Sequence, residues 1–130
     1  MAVIRRFEDL DCWKMAREVC QKIYEVSECG TFARDFSLKD QISRSSGSVM
    51  DNIAEGFERG GNKELIQFLF VSKASCGEVK SQLYRAKDRR HISEEKFQEL
   101  YDISTQTSKL IAGFISYLRR SENKGYKYNH

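Results

Sequence analysis

The chain has 130 residues, 40% of them apolar and 32% charged, with a formal net charge of +3 and no proline. That length and balance fit one domain with a single core and exclude a disordered chain. No apolar run approaches the roughly 20 residues a membrane span needs. The opening M-A-V-I-R-R-F-E-D-L has neither the apolar stretch nor the cleavage site of a signal peptide, so the expected location is the cytoplasm.

The absence of proline favours long uninterrupted helices, and apolar spacing divides the chain into four. After an N-terminal arm at 1–8, Trp13, Ala16, Val19, Ile23 and Val26 recur at helical spacing and predict a helix over 9–29. Asp9 or Asp11 is the expected cap and Gly30 the stop. Ser37-x-x-Asp40 reads as a capping box opening a second helix at 37–59, with Leu38, Ile42, Val49, Ile53 and Phe57 along one face. Its centre, Ser45-Ser46-Gly47-Ser48, is small enough to admit another helix closely. Gly60-Gly61 ends it, and Asn62 is the expected cap of a third helix over 62–90 through Leu65, Leu69, Cys76, Val79 and Leu83. Ser93, followed by Glu94 and Glu95, opens a fourth over 93–121, carrying Phe97, Leu100, Ile111, Ile115 and Leu118. Residues 122–130 read as a flexible basic tail. Short connections make sequential helices antiparallel neighbours, so the fold class is all-α, an up-down antiparallel four-helix bundle.

Two stretches, L-I-Q-F-L-F-V at 65–71 and L-I-A-G-F-I-S-Y-L at 110–118, are apolar almost all round the helix. A helix on a monomeric bundle keeps one face polar. The surplus predicts a homo-oligomer, with Ile66, Phe70, Val71, Leu110 and Ile115 as interface candidates. The four cysteines stand at no metal-ligand spacing and read as reduced thiols, two of them on core stripes.

Charge is segregated. Residues 1–79 carry 11 basic and 13 acidic groups, whereas residues 80–130 carry 11 and 6. Lys80, Arg85, Lys87, Arg89, Arg90, Arg119 and Arg120 are therefore the candidates for phosphate contact with RNA or DNA. In an up-down bundle they form two basic poles, which a ring of subunits would repeat around its axis. The other reading is a scaffold that binds an unidentified protein and no nucleic acid.

Enzymatic readings are less favoured, a metal-dependent enzyme at Glu55/Glu58 among them. A di-metal carboxylate bundle needs Glu-x-x-His on two helices, and this chain has two histidines in all, His91 and His130. Glu55/Glu58 with Glu99/Asp102 offer the pieces of a magnesium-dependent pyrophosphohydrolase, but too far apart. Arg85 with His91 only loosely fits a helical ribonuclease pair, and no glycine loop follows a strand. No catalytic residue, metal site or cofactor is expected.

The stretch Ser48–Glu64 reads instead as a polar lock of the second and third helices. Glu55 and Arg59 stand at ion-pair spacing, Lys63 is a further candidate partner for Glu55, and Asn52 and Gly56 edge the apolar seam. Gly60 and Asn62 belong to the turn.

F-E-D-L-D-C-W-K-M-A at 7–16, F-S-L-K-D-Q-I-S-R-S-S-G-S-V at 36–49, N-I-A-E-G-F-E-R-G at 52–60 and K-E-L-I-Q-F-L at 63–69 carry a resemblance. From Phe7 to about Leu118 the chain resembles a bacterial four-helix-bundle family encoded in intervening sequences of 23S rRNA genes. It departs at Met50, where the family often has proline; a continuous helix loses nothing by that. The resemblance implies a left-handed bundle closed into a ring, a pentamer, with no known catalytic activity. It also implies a distant relation to accessory proteins of diversity-generating retroelements, basic rings that bind nucleic acid and a reverse transcriptase.

Overall fold

In the computed structural model of the chain, residues 4–122 are described, Glu122 by its backbone alone. They form four helices, α1 (Asp11–Ser27), α2 (Phe36–Glu58), α3 (Asn62–Asp88) and α4 (Glu94–Glu122), with no strand among the described residues. Single 3-10 turns at Phe7–Asp9 and Phe32–Arg34 precede α1 and α2. Each helix packs on its neighbours in an antiparallel bundle, α2 against α3 most extensively. The α1–α2 and α3–α4 turns share one pole; the α2–α3 turn, the start of α1 and the end of α4 share the other. No helix among the described residues is long and apolar enough to cross a membrane.

The helix ends correct several sequence expectations. Neither Asp9 nor Asp11 caps α1; Leu10 occupies the N-cap without a side-chain bond, and the arm folds back so that Phe7 meets Trp13 edge-on at 5.1 Å. Asp35, not Ser37, caps α2: its Oδ1 accepts from the Leu38 amide at 3.3 Å. Asn62 lies inside α3 rather than capping it, and Gly61 holds the N-cap. Ser93 does cap, its Oγ accepting from the Lys96 amide at 3.0 Å. Arg90, in left-handed conformation at φ 61°, closes α3 where glycine is usual. The flanking Arg90 N–H and His91 N–H donate to the Lys87 and Ala86 carbonyls at 2.9 Å each, a Schellman closure. Of the expected tail, 123–130 lies outside the described residues.

The core is two apolar clusters joined by a waist of hydroxyls. One cluster gathers Val49, Ile53, Leu65, Leu69, Ile111 and Leu118 towards the α2–α3 turn; the other gathers Ile23, Phe32, Leu38, Ile42, Leu83 and Leu100 towards the opposite pole. Between them Ser46, Ser72, Ser104 and Thr107 are all buried. Each of these four hydroxyls finds a carbonyl, as buried polar groups require, whereas Thr105 Oγ1 beside them on α4 finds none. Ser104 and Thr107 donate back along α4, at 2.8 and 2.7 Å, while Ser72 donates across helices to the Val49 carbonyl at 2.6 Å. Of the serine run, Ser48 meets Ser75 on α3, Ser46 faces Cys20 on α1 and Gly47 stands against open space.

Candidate nucleic-acid interface

The polar stretch at the end of α2 has a structural geometry. Asn52 Nδ2 donates to the carbonyl and hydroxyl of Ser48, 2.8 Å each, and Ser48 Oγ lies 2.8 Å from Ser75 Oγ on α3. Glu55 pairs with Arg59 at 2.9 Å, and the Arg59 guanidinium lies 5.1 Å from the centre of the Phe68 ring. Arg59, not Lys63, is thus the cation on Glu55. Gly56 is buried against α3, where an added Cβ would stand 2.7 Å from Phe68 Cβ. Gly60 turns the chain at φ 85°.

Of the carboxylates considered for metal chemistry, Glu55, Glu99 and Asp102 accept from neighbouring side chains. Glu99 accepts from Lys96 at 2.9 Å and Lys22 at 3.2 Å, which lowers its titration, and Asp102 accepts from Gln98 at 2.8 Å. Among the described residues no three His, Cys, Asp or Glu side chains stand together as a metal-binding group. Cys12 and Cys76 are buried, and burial pushes their thiols up to about 12 and about 11; Cys20 is half-buried and Cys29 exposed.

The basic residues fall into two kinds of surroundings. At the pole shared by the α1–α2 and α3–α4 turns, they build structure. Asp35 Oδ2 accepts from Arg89 Nη1 and from His91 Nε2, both at 2.8 Å. A carboxylate has no proton to give, so Nε2 carries the hydrogen, and in the neutral ring Nδ1 accepts from Thr31 Oγ1 at 2.8 Å. The imidazole stacks on buried Phe32, ring centres 5.2 Å apart. Hydrogen bonds from His91 and then Arg89 hold the Asp35 carboxyl down at about 2. Arg85 is drawn to the α2 side, donating to Gln41 Oε1 at 2.7 Å. Arg85 and His91, the pair considered for ribonuclease chemistry, therefore make separate contacts, the first with Gln41 and the second with Asp35 and Thr31. Arg90 is exposed at the turn.

Along the outer seam of α3 and α4, by contrast, cations lie on aromatic rings. Lys80 Nζ stands 4.6 Å over Tyr101, and Lys87 Nζ is 4.3 Å from Phe97 and 5.3 Å from Tyr84. Towards the other end Arg119 lies 5.1 Å over Phe70, with Arg120 exposed beside it in sequence. The cations of this seam are among the expected phosphate contacts, and its rings are an addition of the structure. The signal was present: Lys80, Tyr84 and Lys87 stand at helical spacing on one face of α3.

The five proposed interface positions also divide. Ile66 and Ile115 are buried in the chain's own core and are available to no partner; an apolar run can be apolar all round because both flanks pack against neighbouring helices. Phe70, Val71 and Leu110 are exposed. Leu110 borders an open apolar cleft of about 430 Å³ with Ile4, Leu10, Gly113, Phe114 and Tyr117.

The bundle is similar to a crystal structure of a protein of unknown function from the S23 ribosomal protein family of Bacteroides thetaiotaomicron VPI-5482. The two share 21% identity, with a TM-score of 0.75 over 81% of this chain and 95% of that one, a likeness of fold. A search of curated proteins finds no match. The family model for the 23S rRNA-intervening sequence protein matches residues 8–113, most of the bundle, and the chain belongs to that family.

Proposed function

We propose that this protein is a non-enzymatic, self-associating bundle that binds RNA or DNA through the basic side chains of α3 and α4. The carrying observation is the segregation of charge, 11 basic against 6 acidic groups from residue 80 onward. The bundle turns this into a basic seam with Lys80, Lys87 and Arg119 outside the polar network of the pole. Phosphate contacts of this kind give affinity without sequence reading. Self-association uses Phe70, Val71 and Leu110, apolar side chains that the single chain leaves exposed. A closed ring, a pentamer by family resemblance, repeats the seam around an axis and adds avidity.

Filter binding of RNA and DNA across a salt series tests the reading. Affinity falls linearly with the logarithm of salt concentration if phosphate contacts dominate. Absence of binding, or binding indifferent to salt, overturns it. Native mass measured before and after nuclease treatment reports the subunit number and any co-purifying nucleic acid together.

A second reading, a scaffold for a partner protein, is favoured by the apolar cleft beside Leu110 and Phe114. Retention of a protein partner after nuclease digestion, with no affinity for nucleic acid, selects that reading instead.

A further inference from the structure

The seam between α3 and α4 combines lysines with a supported, exposed aromatic ring, and this combination narrows the ligand. We infer that the stretch from Lys73 to Lys87 is a seat for single-stranded nucleic acid, with Tyr84 the base-stacking platform and Lys80 and Lys87 the phosphate partners. The inference rests on the nucleic-acid reading above and adds to it the strand state and the stacking residue.

Lys73, Gly77, Lys80, Tyr84 and Lys87 recur at intervals of three and four, so they line one face of α3. On that face Lys73 is exposed and Lys80 half-buried. From Lys73 to Lys87 the helix runs about 21 Å. Phe97 and Tyr101 form the facing wall on α4, the first buried and the second half-buried. Tyr84 stands proud of this wall with 46% of its surface exposed. Its ring is braced at 4.8 Å from Phe97 and 5.8 Å from Tyr101. A braced, exposed ring stacks a base at little cost in side-chain order. Gly77 leaves open space between the two lysine turns, with nothing within 4 Å of where a Cβ would stand.

Single strands are bound by this pairing of ring faces with a cationic track, because every base offers a π-face whatever its identity. A duplex hides those faces inside its own stack and presents phosphates and base edges, so it would engage the lysines and leave Tyr84 idle. An acidic peptide would do the same. In the free protein Lys80 lies over Tyr101 and Lys87 near Tyr84, and transfer of the Lys87 ammonium to phosphate uncovers the Tyr84 ring as the strand arrives. The opposing charge is Glu94, 3.5 Å from Lys87 Nζ. Its side chain is 73% exposed, so solvent screens the pair and a phosphate displaces it.

The test is fluorescence anisotropy on the full chain, with labelled oligo-uridine and oligo-thymidine single strands and a mixed-sequence duplex of equal length. Single strands bind more tightly than the duplex. Tyr84→Ala weakens single-strand binding about 10-fold or more, leaves duplex affinity and salt slope unchanged, and Tyr84→Trp restores the loss. Lys80→Ala and Lys87→Ala weaken both ligands and flatten the salt slope. Equal affinity for the two forms, an indifferent Tyr84→Ala, or displacement of the strand by polyglutamate at equal charge concentration overturns the inference while leaving the broader reading intact. No binding of any nucleic acid overturns both. Tyr84→Phe, which keeps the ring, and thermal melts of each variant separate stacking from misfolding.

Discussion

Gly56 sets how closely α2 can lie on α3, and substituting it by alanine isolates that distance. Two effects oppose each other. Alanine in a helix interior favours the helix over glycine by about 0.5–1 kcal/mol, chiefly by restricting the unfolded chain. Against this, the added Cβ meets Phe68 Cβ at 2.7 Å, Leu65 Cδ1 at 3.0 Å and Leu65 Cα at 3.3 Å. A Cα and a Cβ cannot rotate out of the way, so α3 itself must shift. Overpacking of this kind costs about 1–3 kcal/mol. Crowding wins, and Gly56→Ala is expected to lose about 1–2 kcal/mol, roughly 4–8 °C in Tm for a domain of this size. Gly47, in the same helix, has open space where its Cβ would stand. Gly47→Ala therefore gains the helix term alone, about 0.5–1 kcal/mol. Urea denaturation followed by far-UV circular dichroism, at one protein concentration because self-association shifts the midpoint, reads both. A Gly56→Ala protein as stable as Gly47→Ala would refute the claim that close approach at Gly56 holds the hairpin.

Asp35 makes stability depend on acid. Its carboxyl titrates at about 2 in the fold against 3.8 in the unfolded chain, so its contribution is full above about 3.8 and disappears as pH falls towards 2. Asp35→Asn keeps a capping acceptor but no charge, and denaturation midpoints should show a shallower loss across that window; an unchanged pH profile contradicts the assignment. Thiol labelling at mild alkaline pH should modify exposed Cys29 first and Cys20 more slowly, with Cys12 and Cys76 reacting only in denaturant, since burial keeps both protonated. Rapid labelling of all four would mean that the core opens readily. Arg90→Gly should raise stability by about 0.5–1 kcal/mol by removing a side chain from left-handed backbone, and a loss in denaturant midpoint would show that the arginine makes a contact worth more than its strain.

The four helices were legible because their signals are local. Leu38, Ile42, Val49 and Ile53 stand at spacings a single pass along the chain detects, and all are buried. The caps were harder, since a cap is chosen among neighbours by backbone geometry. Asp35 precedes the capping-box pattern at Ser37 by two residues and wins because Arg89 and His91, more than 50 positions away, fix its carboxylate. No local pattern carries that contact. The same reason explains why Ile66 and Ile115 looked like surface: periodicity gives the direction of a side chain but not the reach of the next helix. For the seam, Lys80 and Tyr84 could be placed on one face from sequence, while Tyr101 joins them only through the packing of α4 on α3.

What each cation holds in the two basic environments decides which of them can meet a phosphate. Arg89 donates a charge-assisted bond to a carboxylate that also caps α2 and accepts from His91. Taking Arg89 for a ligand strips Asp35 of a partner and loosens the joint between the two turns. The ammoniums of Lys80 and Lys87 lie instead on the rings of Tyr101 and Phe97, contacts that at exposed sites contribute about 0.5–1 kcal/mol. Lys87 also lies 5.3 Å from the exposed Tyr84 ring and pairs with solvent-exposed Glu94, so its departure frees a face of Tyr84, releases a screened ion pair and breaks no cap. A phosphate therefore recruits the seam lysines before the polar arginine, although sequence places all three within ten residues. Net charge counts these cations alike, whereas the fold ranks them by what each must release.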